Sequence, residues 1–300
     1  MKVSIRFLAL LLLLAMLPFS APAETVVTSF YPIWLIALNL ADGLPDLTVR
    51  NLAAPDTGCL HDYQLQTGDM KTLAEADLFL VNGAGMESYL DLVYSAFPDL
   101  PVADASRGIP LLKDLGTLEI GASEEEEEEN AHIWLNAANA SLMARNLADA
   151  MMASFPAWSD QIRKNLDSWC LRMEVLDAEL KAGLKDLPRR GIITFHEAFP
   201  YFAEAYGLKV LAVVCREPGE TLTPSQLAEL ADAVVSLDLP PLFVEPQAEE
   251  LTARVLAAET GARVFSLDPI VTGPAENVPL DYYDSVMRQN MRVLQEALNP

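Results

Sequence analysis

Only three histidines, three cysteines and 14 glycines occur among the 300 residues. The odd number of cysteines (Cys59, Cys170, Cys215) allows at most one intramolecular bridge and so excludes a disulfide scaffold. Basic residues are scarce as well: 20 Lys and Arg stand against 43 Asp and Glu, a formal net charge of -23. Such a surface repels phosphate, which excludes nucleic acid and anionic membrane surfaces as good partners and favours cations or basic protein surfaces. Local catalytic signatures are missing too. There is no GxSxG, no P-loop and no GxGxxG, and "HEAFP" begins like a zinc-protease helix but has Pro200 where a second histidine is needed. "NGAGME" reads as a glycine turn after a strand rather than a phosphate cradle. Stability must come from packing, which a hydrophobic content of 51% permits.

The first 23 residues have the three parts of a secretory signal: Lys2 and Arg6, the apolar "FLALLLLLAML", and a small-residue site at Ala21 and Ala23. The apolar run is too short for a spanning helix. No cysteine lies near the cleavage site, so a lipid anchor is not indicated. The expected product is an exported, periplasmic chain beginning at Glu24, two charge units more negative once Lys2 and Arg6 are lost. What remains suffices for one large domain or two of ordinary size.

Along that remainder, β-rich runs alternate with helical patterns. "TVVTSF", "LTVRNLA", "DLFLVNG", "GIITF", "KVLAVV", "PPLFVE" and "RVFSL" read as strands, each followed by a helical stretch, the pattern of α/β lobes with mostly parallel sheets flanked by helices. Between them, Ile162, Leu166, Trp169, Met173, Leu176 and Leu180 recur at helical spacing. They predict a helix of about 28 residues, ~40 Å long. It reads either as an ordinary helix of one large domain or as a rigid connector. The expected organisation is a signal at 1–23, an N-terminal lobe at 24–155, a connector helix at 156–188 and a C-terminal lobe at 189–300.

All three histidines fall at strand-to-helix junctions, where open α/β sheets gather their ligands. His61 lies in the loop after "LTVRNLA", His132 opens "HIWLNAANA", and His196 ends "GIITF" and is expected to begin the helix "HEAFPYFAEAYG". Asp268, in "FSLDPIVTG", ends the last strand in the same way. Three imidazoles and a carboxylate make a four-ligand nitrogen/oxygen set suited to Zn2+. Their spacing matches no local zinc motif, and each histidine taken singly also reads as a structural core residue.

These stretches together resemble the metal-binding proteins of zinc and manganese ABC importers, the cluster A-I or TroA-like family that includes the zinc-uptake, ZnuA-type proteins. "TSFYPIWLIALNLADG", "HDYQLQTGDMKTLAEADLFLVNGAGME", "AHIWLNAANA", "TFHEAFPYFAEAYGL", "FVEPQ" and "LDPIVTG" follow the family order over nearly the whole chain after the signal. The resemblance implies two lobes joined by one long helix, metal held between them by His61, His132, His196 and Asp268, and delivery to a membrane permease by a monomer. An imidazole at position 196 goes with zinc members, whereas manganese members often carry a carboxylate there. Leu60 departs from the acidic residue common before the first histidine, and Asn136 and Ala137 from the "DP" common after "HIWL". A carboxylate run, Glu124 to Glu129, replaces the His-rich loop. These departures bear on affinity and metal preference rather than on fold.

Several alternatives stay open at this level. A manganese- or iron-binding protein of the same importer type would share the fold. An exported zinc enzyme would use a three-histidine site with an open water position, with Glu197 or Glu245 as general base. A zinc buffer without a transporter would share the site. The run Glu124–Glu129 reads either as a cation-gathering loop or as a solubilising one. Cys59 and Cys215 read as a disulfide, as unpaired thiols, or, for Cys59, as an auxiliary thiolate near the metal.

Overall fold

Continuous apolar runs such as "LFLV" signal strands buried on both faces, the usual state inside a parallel sheet. In the computed structural model of the chain, which describes residues 24–61, 63–113, 129–214, 223–246 and 251–299, these runs form the centres of two sheets. The first contains β1 (Glu24–Thr28), β2 (Leu47–Asn51), β3 (Leu78–Val81) and β4 (Val102–Asp104) in the order β2-β1-β3-β4, every pair parallel. The second contains β5 (Gly191–Thr194), β6 (Lys209–Val213), β7 (Leu242–Val244) and β8 (Val264–Ser266) in the order β6-β5-β7-β8, again all parallel. Each sheet reverses its winding beside its first strand, the kind of switch point at which α/β sheets hold ligands.

The helices are α1 (Tyr31–Leu40), α2 (Thr67–Ala74), α3 (Leu90–Ala96), α4 (Ala137–Ser154), α5 (Ser159–Leu184), α6 (Pro200–Tyr206), α7 (Pro224–Ser236), α8 (Leu251–Thr260) and α9 (Tyr282–Leu298). Asn136 caps α4, its side chain accepting from the amides of Ala138 (2.9 Å) and Asn139 (3.4 Å). The Asn at this departure from "DP" thus still fixes where the helix begins, shortly after His132.

The 26 residues of α5 form the predicted connector, preceded by a 3-10 turn at Pro156–Trp158. All six residues of its apolar series are buried. Arg172 ties it to both halves of the chain, donating to Asn39 Oδ1 of α1 (2.9 Å) and, in α9, to Asp284 Oδ2 (3.2 Å). The main apolar core is continuous from Val26 in β1 to Phe243 in β7 and Leu298 in α9, with a smaller cluster around Ile193, Leu230, Val234 and Leu256. Among the described residues no helix is long and apolar enough to cross a membrane.

Two local expectations give way. The helix expected to start at His196 starts at Pro200, and residues 196–199 form a bend and turn. The proline ring disfavours helical backbone at the preceding residue yet fits the first helical turn, so the helix cannot begin earlier. Strand β4 was not expected; three residues of "VAD" are too short to show a period. Residues 1–23, Glu124–Glu128 and Cys215 lie outside the described residues. Glu129, the last of the acidic run, forms an isolated antiparallel bridge with Lys113.

Candidate metal centre

Each of the four expected ligands follows the C-terminal end of a parallel strand: His61 after β2, His132 after β4, His196 after β5, Asp268 after β8. The structure brings the three imidazoles into one cluster. The His132 ring centroid lies 5.3 Å from that of His61 and 4.9 Å from that of His196. His132 comes from the first half of the chain and His196 from the second, so the cluster sits where the lobes meet.

Each of the two buried histidines is held by the far side of its ring. The Asn130 side chain accepts from the His132 backbone amide (3.0 Å) and from its Nδ1 (3.3 Å), while its own Nδ2 donates to the Glu197 carbonyl (2.9 Å). Glu245, one residue beyond β7, takes the Nδ1 of His196 at 2.5 Å, with both side chains nearly fully buried. Nδ1 being occupied, Nε2 is the other donor atom of each ring, and that of His132 faces Cys59; such partners fix tautomer and orientation in metal sites. Burial, then the neighbouring His196 and His61, holds His132 well below the usual histidine range. It is therefore the neutral imidazole that ligation requires.

Cys59 joins the same cluster. Its Sγ lies 3.4 Å from His132 Nε2, and ligand atoms of Cys59, His132 and His196 all fall within 4.8 Å of one another. Among the described residues, His61 and Asp268 stand outside that tightest set. Leu60 is fully buried, so the chain turns its apolar side chain into the core between the half-buried Cys59 and His61.

Asp268 is placed rigidly. Asn290 bonds both to its amide (3.0 Å) and to its carbonyl (2.7 Å), and its Oδ1 accepts from the Ile270 amide (2.7 Å). Burial pushes its carboxyl up to about 6, with the charge of Glu245 adding to the rise. Ile270 has φ 63°, a left-handed backbone that a β-branched residue adopts only under constraint. Gly273 sits so close that a Cβ there would be 2.2 Å from the Tyr31 hydroxyl.

The two halves are bonded to each other on both sides of His132. Trp134 Nε1 donates to the Pro269 carbonyl (2.7 Å), and the Tyr283 hydroxyl donates to the Trp134 carbonyl (2.6 Å). The Tyr201 hydroxyl donates to the Asn130 carbonyl and accepts from the Leu112 amide, each at 2.9 Å. Sequence reasoning missed Asn130 and these tyrosines, since their partners are distant in the chain and no local pattern marks them.

A family model described as "Zinc-uptake complex component A periplasmic" matches residues 26–297. The chain belongs to this family. Zinc-binding lipoprotein AdcA of Streptococcus pneumoniae is 24% identical over 279 residues, covering 91% of this chain but 55% of AdcA, so the chain spans about half of that relative. Iron-binding protein YfeA of Yersinia pestis is 27% identical over 274 residues, covering 91% of this chain and 85% of YfeA. A crystal structure of ZnuA superposes with a TM-score of 0.78 at 25% identity, covering 92% of this chain and all of that one. The two parallel-sheet lobes and the long helix match the fold of that structure.

Proposed function

We propose that the protein is an exported, periplasmic zinc-binding protein that delivers its cargo as a monomer to the membrane permease of an ABC importer. One Zn2+ sits between lobes 24–155 and 189–300, on either side of the connector 156–188, with His61, His132, His196 and Asp268 as its candidate ligands. The observation that carries this reading is the pair of oriented imidazoles. Asn130 and Glu245 each occupy an Nδ1, leaving Nε2 as the other donor atom of each ring, and the two rings lie 4.9 Å apart from opposite halves. Imidazole-rich donor sets favour zinc over manganese, which prefers oxygen.

The same contacts favour carriage over catalysis. Glu245, a candidate general base, is engaged by His196, and the matching family model is described as a zinc-uptake component. Similarity to an iron-binding relative supports an oxygen-tolerant variant of the same role, with Asp268 supplying the harder donor. Buried hydrogen bonds between the halves and a continuous core support modest closure on binding rather than wide hinge motion.

Delivery is tested by zinc-limited growth of the source cell. Deleting the gene should lower zinc uptake, and so should deleting its permease, with no further loss in the double deletion. Additive losses would separate the protein from that importer.

A further inference from the structure

We propose that Cys59 is itself a zinc ligand, its thiolate completing a sulfur-containing site with His132 and His196. This rests on the zinc-binding reading above and deepens it by assigning a donor that selects the metal.

A tetrahedral zinc with a sulfur at ~2.3 Å and a nitrogen at ~2.05 Å separates those two ligand atoms by about 3.6 Å. The Sγ of Cys59 and Nε2 of His132 are 3.4 Å apart, and both lie within 4.8 Å of the His196 ligand atom. Three donors from three strand ends are thus close to the spacing one zinc requires, with the imidazoles oriented by Asn130 and Glu245. The chain around position 59 supports the placement. Leu60 is buried in the core, which anchors the loop while the Cys59 side chain meets His132.

Binding balances simply. The Cys59 S–H bond breaks, its proton passes to solvent, and sulfur donates its electron pair to the cation; no oxidant or reductant takes part. His61 or Asp268 completes the coordination. A thiolate is a soft donor that suits zinc and disfavours manganese, so Cys59 sharpens selectivity between them.

X-ray absorption of the zinc-loaded mature chain tests the assignment. Wild type should show one sulfur at ~2.3 Å among nitrogen or oxygen neighbours at ~2.0–2.1 Å. Cys59→Ser should lose that sulfur, keep its circular dichroism, and lower the zinc-over-manganese preference by roughly tenfold or more. A wild-type protein holding one zinc with only nitrogen and oxygen neighbours would overturn the proposal while leaving the zinc-carrier reading intact. So would a sulfur neighbour that persists in Cys59→Ser. Failure of wild type to bind zinc at all would instead strike the carrier reading itself. Should Cys59→Ser misfold, cobalt-loaded wild type decides: a thiolate-to-cobalt charge-transfer band is expected, and its absence contradicts the assignment.

Discussion

Glu245 holds the Nδ1 of His196 at 2.5 Å, and the two side chains are only 4% and 2% exposed. They follow the C-terminal ends of the paired strands β5 and β7, so the sheet brings them side by side. A buried carboxylate behind a histidine raises its basicity as a ligand and locks its ring. Replacing Glu245 with Ala should weaken zinc binding by about 10–100-fold without changing stoichiometry. Gln, which retains an acceptor, should cost less. Isothermal titration of both variants checks the order; equal affinities for wild type and Ala would remove Glu245 from the site's support.

Asn130 spans the lobes in the same way for His132. Asn130→Ala deprives the Glu197 carbonyl and the His132 amide of their partner, at a cost of about 1–3 kcal/mol in stability for each buried group left unsatisfied. Denaturant unfolding should show that loss in the metal-stripped protein, and zinc affinity should fall with it. Unchanged stability would mean that solvent or another group replaces the amide.

Gly273 admits no side chain. A Cβ at that position would meet the Tyr31 ring and hydroxyl and the Tyr282 hydroxyl at 2.2–2.8 Å. Gly273→Ala should therefore shift the loop that carries Asp268, with a stability loss of about 1–3 kcal/mol and weaker zinc binding. A variant with wild-type melting and affinity would show that the loop yields freely.

A pH effect is expected away from the metal. Burial pushes the Glu87 carboxyl up to about 7 from 4.5, although the amides of Asn82 (2.7 Å) and Gly83 (3.1 Å) donate to it. A raised acid binds its proton more tightly folded than unfolded. Its stabilising contribution is therefore complete below pH 4.5 and is lost as pH rises through 7, an effect of at most about 3 kcal/mol. Relative to Glu87→Gln, wild type should lose stability between about pH 5 and pH 8. A constant difference across that range would contradict the assignment.

Much of this arrangement was legible in the residues. The seven expected strands, the connector stripe from Ile162 to Leu180 and the junction positions of the histidines all depend on local pattern, which a sequence displays. Position 196 misled at short range because Pro200 starts α6 only after a turn beyond the strand-end histidine. The rest depends on contacts across the chain. Asn130 meets Glu197 across 67 residues with nothing local to announce the pair, and Cys59, open in the sequence as a thiolate near the metal, has its contact with His132 set only by the fold, across 73 residues. Glu245 was visible as a candidate, but its role as an orienter of His196 required the pairing of β5 with β7.

Competitive titration of the chelator-stripped protein with zinc and then manganese tests the central claim most directly. One tightly bound zinc per chain, held in preference to manganese and lost in a folded His196→Ala variant, is the predicted result. Weak zinc binding, a preference for manganese, or full zinc affinity in His196→Ala would contradict a zinc site built on these oriented imidazoles.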